Sequence, residues 1–250
     1  MTMGHTILLF VFILCVLTVY GLYVYFPIKT ALKIDQKLVP DAVAYEQHPA
    51  NPTMQVLFMG DSTAVGVGSV QKSESTAGRL GAEYPNSDIS NRSKSGMVLR
   101  ELLPLIEAQS GMHYDLVVLQ IGANDVVGFT TLGAVREQLR KILKTASGIA
   151  PHVAVLTAGD IGQSPVFRWP LSSLMSARTR SVRAIFMEEI ATTPNAFYID
   201  IYNSNAGEIF NSDLNRYYAP DYFHPSGDGY GVWYALLLRA LKEQSIVPAH

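Results

Sequence analysis

Apolar residues are laid along this chain in three kinds of run. The first, from Thr6 to Ile28, holds no charged side chain and has the length needed to cross a bilayer core of roughly 30 Å. The second kind is short and dense. Residues 54–59, 114–122, 152–159 and 195–201 are rich in Val, Ile, Leu and Phe, as expected of strands covered on both faces. Residues 88–92 predict a fifth, shorter strand. The third kind repeats at helical spacing. Leu132, Val135, Leu139, Ile142 and Leu143 form one such stripe. Leu174, Ala177, Val182, Ile185, Phe186 and Ile190 form another, and Val232, Trp233, Leu236, Leu237, Ala240 and Leu241 a third. Residues 75–84 and 97–109 also read as helices, with Pro104 expected to kink the latter or to start its second half.

Strands that alternate with helices bury a parallel sheet between helical layers. The chain therefore divides into an apolar segment (1–28), a linker (29–53) marked by mixed charge and by Pro49 and Pro52, and one α/β domain (54–250). The apolar segment predicts an uncleaved transmembrane anchor. Tyr20, Tyr23 and Tyr25 crowd its C-terminal end, where aromatic rings favour the interface. No Lys or Arg precedes it, and the nearest small-x-small site, Ala42-Val43-Ala44, lies far downstream of where a signal peptidase would cut. Lys29, Lys33 and Lys37 follow the run, an asymmetry that leans towards a cytoplasmic domain but is too slight to assign the side.

Charge and cysteine content narrow the function. A formal net charge of −2 over 250 residues argues against a nucleic-acid partner. Basic residues at 136–144 and 178–183 lie in helical segments and read as solvated faces. The single cysteine, Cys15, sits in the apolar run, so an intrachain disulfide, a CxxC zinc site and a cysteine nucleophile in the α/β domain are all excluded. No motif for a cofactor or a metal is present.

In parallel sheets, functional residues gather where strands end at their carboxyl side. Here those ends carry Gly60-Asp61-Ser62, Gly96, Gly122-Ala123-Asn124-Asp125 and, before the last helix, Asp221 and His224. The first turn, GDSTAVGVGS, lacks the lysine of a P-loop and the third glycine of a dinucleotide fingerprint. A serine nucleophile is the better reading, since the other ends supply what it needs. His224 is the histidine on the right side of the sheet to act as base. His5 precedes the apolar run, His48 is in the linker, His113 and His152 precede strands, and His250 is the last residue. Asp221, three residues earlier, can orient the imidazole. The N–H groups of Ser62 and Gly96 and the side-chain amide of Asn124 are candidates for an oxyanion hole. Asp61 and Asp125 read as braces of their turns, Gly60 as the residue that lets the chain turn off the strand, and Gly66 and Gly68 as a flexible rim.

These four ordered blocks resemble the SGNH, or GDSL, hydrolase family, over nearly all of the α/β domain. Thr63 departs from the Leu or Ile usual after the serine. The resemblance implies a three-layer α/β/α flavodoxin-like domain with a five-stranded parallel sheet. It also implies metal-free esterase, lipase or thioesterase chemistry on a small acyl ester, with the membrane anchor favouring a lipid-derived one. Carried over by position, Ser62 is the nucleophile, His224 the base and acid, Asp221 its orienter, and Gly96 and Asn124 the oxyanion donors. Two other readings use the same residues: acyl transfer to an alcohol, amine or sugar hydroxyl, and a non-catalytic binding module on the same fold. Phe167 and Trp169, in the loop before the fourth long helix, are candidates for a lid or for loop packing.

Overall fold

The computed structural model describes residues 3–247. A long helix, α1 (Met3–Asp41), precedes β1 (Met54–Gly60) and the single turn α2 (Ser62–Val65). There follow α3 (Thr76–Glu83), β2 (Ser87–Asn91), α4 (Leu99–Glu107), β3 (Leu116–Gln120), α5 (Ala123–Val127) and α6 (Leu132–Ile149). The chain continues through β4 (His152–Leu156), α7 (Leu171–Ala191), β5 (Ala196–Ile199), α8 (Ala206–Ser212), α9 (Leu214–Tyr217) and α10 (Gly227–Glu243). The five strands form one parallel sheet, as expected, and their order is β2-β1-β3-β4-β5. Alternate side chains of each strand feed two cores. Leu57, Met59, Val117 and Leu119 pack against α4, α6 and α7. Val56, Phe58, Leu116 and Val118 pack against α3 and α10. The result is three layers, because both sheet faces are apolar and each needs its own helical cover.

Some local readings need correction. α7 buries Met175, Thr179, Val182, Ile185, Phe186, Glu189 and Ile190, whereas Leu174 and Ala177 are exposed. The helix therefore enters the core rotated from the predicted stripe. Glu189, 5% exposed, explains part of that rotation: it accepts from Arg136 at 2.8 Å and Arg140 at 2.9 Å across the α6–α7 seam. These arginines bridge helices and are not simply a solvated face. Pro104 lies within α4, which continues on both sides of it. Leu132 is also exposed, at the start of α6.

The largest departure is α1, which runs on as helix through Pro27 to Asp41, where a linker is expected from residue 29. Only 42–53 is extended connection, touching the sheet through an isolated bridge between Gln47 and Ile89. Ile7 to Asp41 contains a window apolar enough to cross a membrane, with mean hydropathy 2.7 and none of that window buried.

Gly60 ends β1 for a reason other than turning. A Cβ there would lie 1.9 Å from the Gln120 carbonyl oxygen and 2.9 Å from the Ala64 Cβ, so a side chain would push β1 off β3. Gly60→Ala is expected to lower the Tm by about 5 °C or more, the effect of overpacking a close backbone contact. A thermal melt followed by circular dichroism checks this. An unchanged Tm would mean that the strands separate freely at this point.

Candidate active site

The carboxyl ends of β1 and β3, which are adjacent in the sheet, place the serine turn and the Asn124 turn side by side. Asp61 caps α2. Its Oδ1 accepts from the Thr63 N–H at 2.9 Å and from the Thr63 hydroxyl at 2.7 Å. The Thr63 hydroxyl thus adds a second clamp on the turn, one that the aliphatic residue usual there cannot supply. Because Asp61 takes the cap, Ser62 is left as the first helical residue with its hydroxyl free for other work. Burial raises the Asp61 carboxyl above its ordinary range, against the two Thr63 hydrogen bonds.

The histidine turn reaches this point from the far end of the chain. His224 Nε2 lies 2.9 Å from Ser62 Oγ, and His224 Nδ1 lies 2.6 Å from Asp221 Oδ2. A carboxylate only accepts, so Nδ1 carries the proton, and the Ser62 hydroxyl donates to the lone pair of Nε2. Asp221 Oδ1 accepts from the backbone N–H groups of Phe223 and His224 at 2.9 and 3.0 Å, which fixes the carboxylate as well as the ring. Burial works to raise Asp221, but the His224 hydrogen bond and these two N–H groups help to outweigh it, and the carboxyl is held below its ordinary range. Ser226, not Asp221, caps α10. Asp221 is therefore free to serve His224.

Two further contacts lock the serine and histidine turns together. The Tyr230 hydroxyl, on α10, donates to the Val67 carbonyl at 2.7 Å. Gly68, at φ +98°, packs so closely that a Cβ would meet the Pro225 carbonyl oxygen at 2.4 Å and the His224 Cβ at 3.1 Å. That segment is a fitted seat for the histidine turn, which corrects its reading as a flexible rim.

Gly96 and Asn124 line the same cleft as Ser62, Asp221 and His224. Asn124 Nδ2 donates to the Met97 carbonyl at 3.1 Å, which aims the amide and leaves its second N–H without a partner among the described residues. Asp125 Oδ2 accepts from the Leu99 N–H at 3.0 Å, tying the Gly96 loop to the Asn124 turn as a brace does. Burial raises its carboxyl, against that same bond.

Among the other histidines, His48 pairs with Asp88 at 2.7 Å, and His250 lies outside the described residues. Phe167 lines the cleft and meets Phe223 edge to face at 6.1 Å, whereas Trp169 is 67% exposed. Sequence reasoning missed Asp35. It stands on α1 with Oδ1 3.7 Å from His224 Nδ1, beyond hydrogen-bond reach. Asp35, Asp221 and His224 bring potential ligand atoms within 4.8 Å of one another, but the 2.6 Å bond already commits Nδ1 to Asp221. The donor set suits a proton relay better than a metal.

A serine, a histidine and an acid brought together at the carboxyl edge of a parallel sheet form the arrangement of a serine hydrolase. The model of the GDSL-like lipase/acylhydrolase family matches residues 58–232, and the chain belongs to that family. Compared with the curated proteins, it has no match. Among solved structures it is similar to a lipolytic G-D-S-L family protein from Veillonella parvula, with 19% identity and a TM-score of 0.58, covering 76% of this chain and 99% of that one. It is similar also to phospholipase A1 from Streptomyces albidoflavus (17%, TM-score 0.60, 74% and 98% covered). A psychrotrophic esterase from Pseudoalteromonas is a third (16%, TM-score 0.56, 76% and 97% covered). At such identities the likeness is one of fold.

Proposed function

We propose that the protein is a membrane-anchored serine esterase that hydrolyses an acyl ester or thioester of lipid character through an acyl-enzyme on Ser62. The observation that carries this reading is the unbroken relay from Ser62 Oγ through His224 to Asp221, with contacts of 2.9 and 2.6 Å. In this scheme Ser62 Oγ attacks the carbonyl carbon while its proton passes to His224 Nε2. The carbonyl π electrons move to oxygen, and the N–H groups of Ser62, Gly96 and Asn124 receive the oxyanion. Collapse breaks the bond to the leaving alcohol or thiol, which takes the proton from His224. Water then repeats the sequence, with His224 as base, to free the acid and restore Ser62. Asp221 holds the tautomer and offsets the imidazolium charge throughout. Residues 1–28 are the anchor on this reading, and 54–250 the catalytic domain.

The reading is tested by labelling with a fluorophosphonate probe, which reacts only with an activated serine. Absence of a Ser62 adduct in the unmodified protein overturns it. Asn124→Ala is expected to lower kcat by about 10²–10³-fold with KM little changed, the signature of a donor engaged only by the developing oxyanion. Steady-state kinetics on p-nitrophenyl butyrate reads this. A change in KM alone would remove Asn124 from the oxyanion hole.

A further inference from the structure

The active site has a wall that the catalytic domain does not supply. Ile28, Ala31, Leu32, Asp35 and Val39 of α1 line the cleft that holds Ser62, Gly96 and His224. Their spacing puts them on one stripe of the helix. Ala31 is only 8% exposed, although most of α1 stands in the open. The cleft has a volume of about 230 Å³ and is closed on the domain side by Val127, Val166, Phe167 and Phe223, so its largely apolar walls suit a hydrocarbon chain. A second, smaller cleft, lined by Phe210 and Trp233, also reaches Ser62.

The α1 cleft is continuous with the apolar segment of the same helix. Ile28 closes the uncharged run, and Asp35, beside His224, stands about 10 Å further along at the helical rise. The domain also touches the run itself. The Tyr20 hydroxyl donates to the Trp169 carbonyl, the two rings lie 6.3 Å apart, and the Arg168 guanidinium sits 5.4 Å from the Tyr23 ring centre. Trp, Tyr and Arg together are interface residues of a bilayer. With α1 spanning a bilayer, they would put the loop at the cleft's mouth near the depth where lipid chains begin.

We propose that this cleft takes a hydrocarbon chain of the ester substrate directly from the bilayer, so that the anchor helix is itself part of the substrate site. The inference rests on Ser62 being the nucleophile and on α1 spanning the membrane. Neither would by itself require a membrane helix to form the pocket.

The test uses the full chain in dodecylmaltoside micelles, with Ala31→Trp to fill the cleft and Leu32→Trp, at a more exposed position, as a second plug. Two substrate series separate the arms of the ester: p-nitrophenyl esters of rising acyl length, and acetates of alcohols of rising length. At least one plug is expected to lower kcat/KM for the long members of one series by about tenfold or more relative to the shortest ester of that series. Fluorophosphonate labelling of Ser62 reports that each variant is folded. If both variants are labelled and neither series changes its length profile, the cleft does not hold the chain. If the unmodified protein is not labelled, the esterase reading fails first and takes this inference with it.

Discussion

Ser62→Ala is expected to abolish fluorophosphonate labelling and to lower kcat by about 10⁶-fold, leaving whatever acceleration the oxyanion donors and binding provide alone. On the proposed mechanism Ser62 and His224 act as one unit: the hydroxyl is a poor nucleophile unless Nε2, 2.9 Å away, removes its proton during attack. A unit has a second signature. His224→Ala should cost about as much as Ser62→Ala, and the double variant little more than either, because the second substitution removes a partner already idle. Single-turnover kinetics with p-nitrophenyl acetate measures all three. Losses that multiplied in the double variant would mean that the two side chains contribute separately, and the relay would be an accident of packing.

Asp221→Asn is expected to lower kcat by about 10⁴-fold with the fold intact. The two roles of the carboxylate separate cleanly at its two oxygens. An asparagine oxygen can still accept from the N–H groups of Phe223 and His224, as Oδ1 does now at 2.9 and 3.0 Å, so the turn keeps its shape. The amide nitrogen, however, donates. Facing Nδ1 it favours the tautomer with hydrogen on Nε2, which then points a proton at Ser62 where a lone pair is needed. Asp35 does not compensate, since its carboxylate stands 3.7 Å from Nδ1. The experiment pairs kcat with a melting curve. Full activity in Asp221→Asn would deny the residue its orienting role, and a collapsed Tm would show that its main duty is structural.

Much of this site could be read from the chain because its parts are local. Each of Ser62, Asn124 and His224 sits in a short polar stretch at the end of a strand or just before a helix, and a parallel sheet forces those ends together. What escaped was set by close approach between distant segments. Gly60 is needed because β3 comes so near, and Gly68 because the histidine turn rests on it. Neither contact leaves a trace in the local sequence. The extension of α1 did leave one. Ile28, Ala31, Leu32 and Val39 keep helical spacing through the segment read as a linker, but Asp35 interrupts their apolar stripe. A carboxylate within a stripe that faces the cleft breaks the apolar pattern. Pro27, which ordinarily ends a helix, hid the continuity further.

The tie between Tyr230 and the Val67 carbonyl also bears on the order of folding. Ser62 and His224 are 162 positions apart in the chain, and closing a loop of that length costs about 4–5 kcal/mol of chain entropy. The central strand pairs can form without closing it. The cost is met only when α10 docks, burying Tyr230, Trp233 and Leu237 and bringing the histidine turn down onto the serine turn. A nascent chain can therefore hold a nearly complete sheet and, on the proposed mechanism, still be inert, because His224 has not yet reached Ser62. Hydrolytic competence, on that mechanism, waits on the docking of α10.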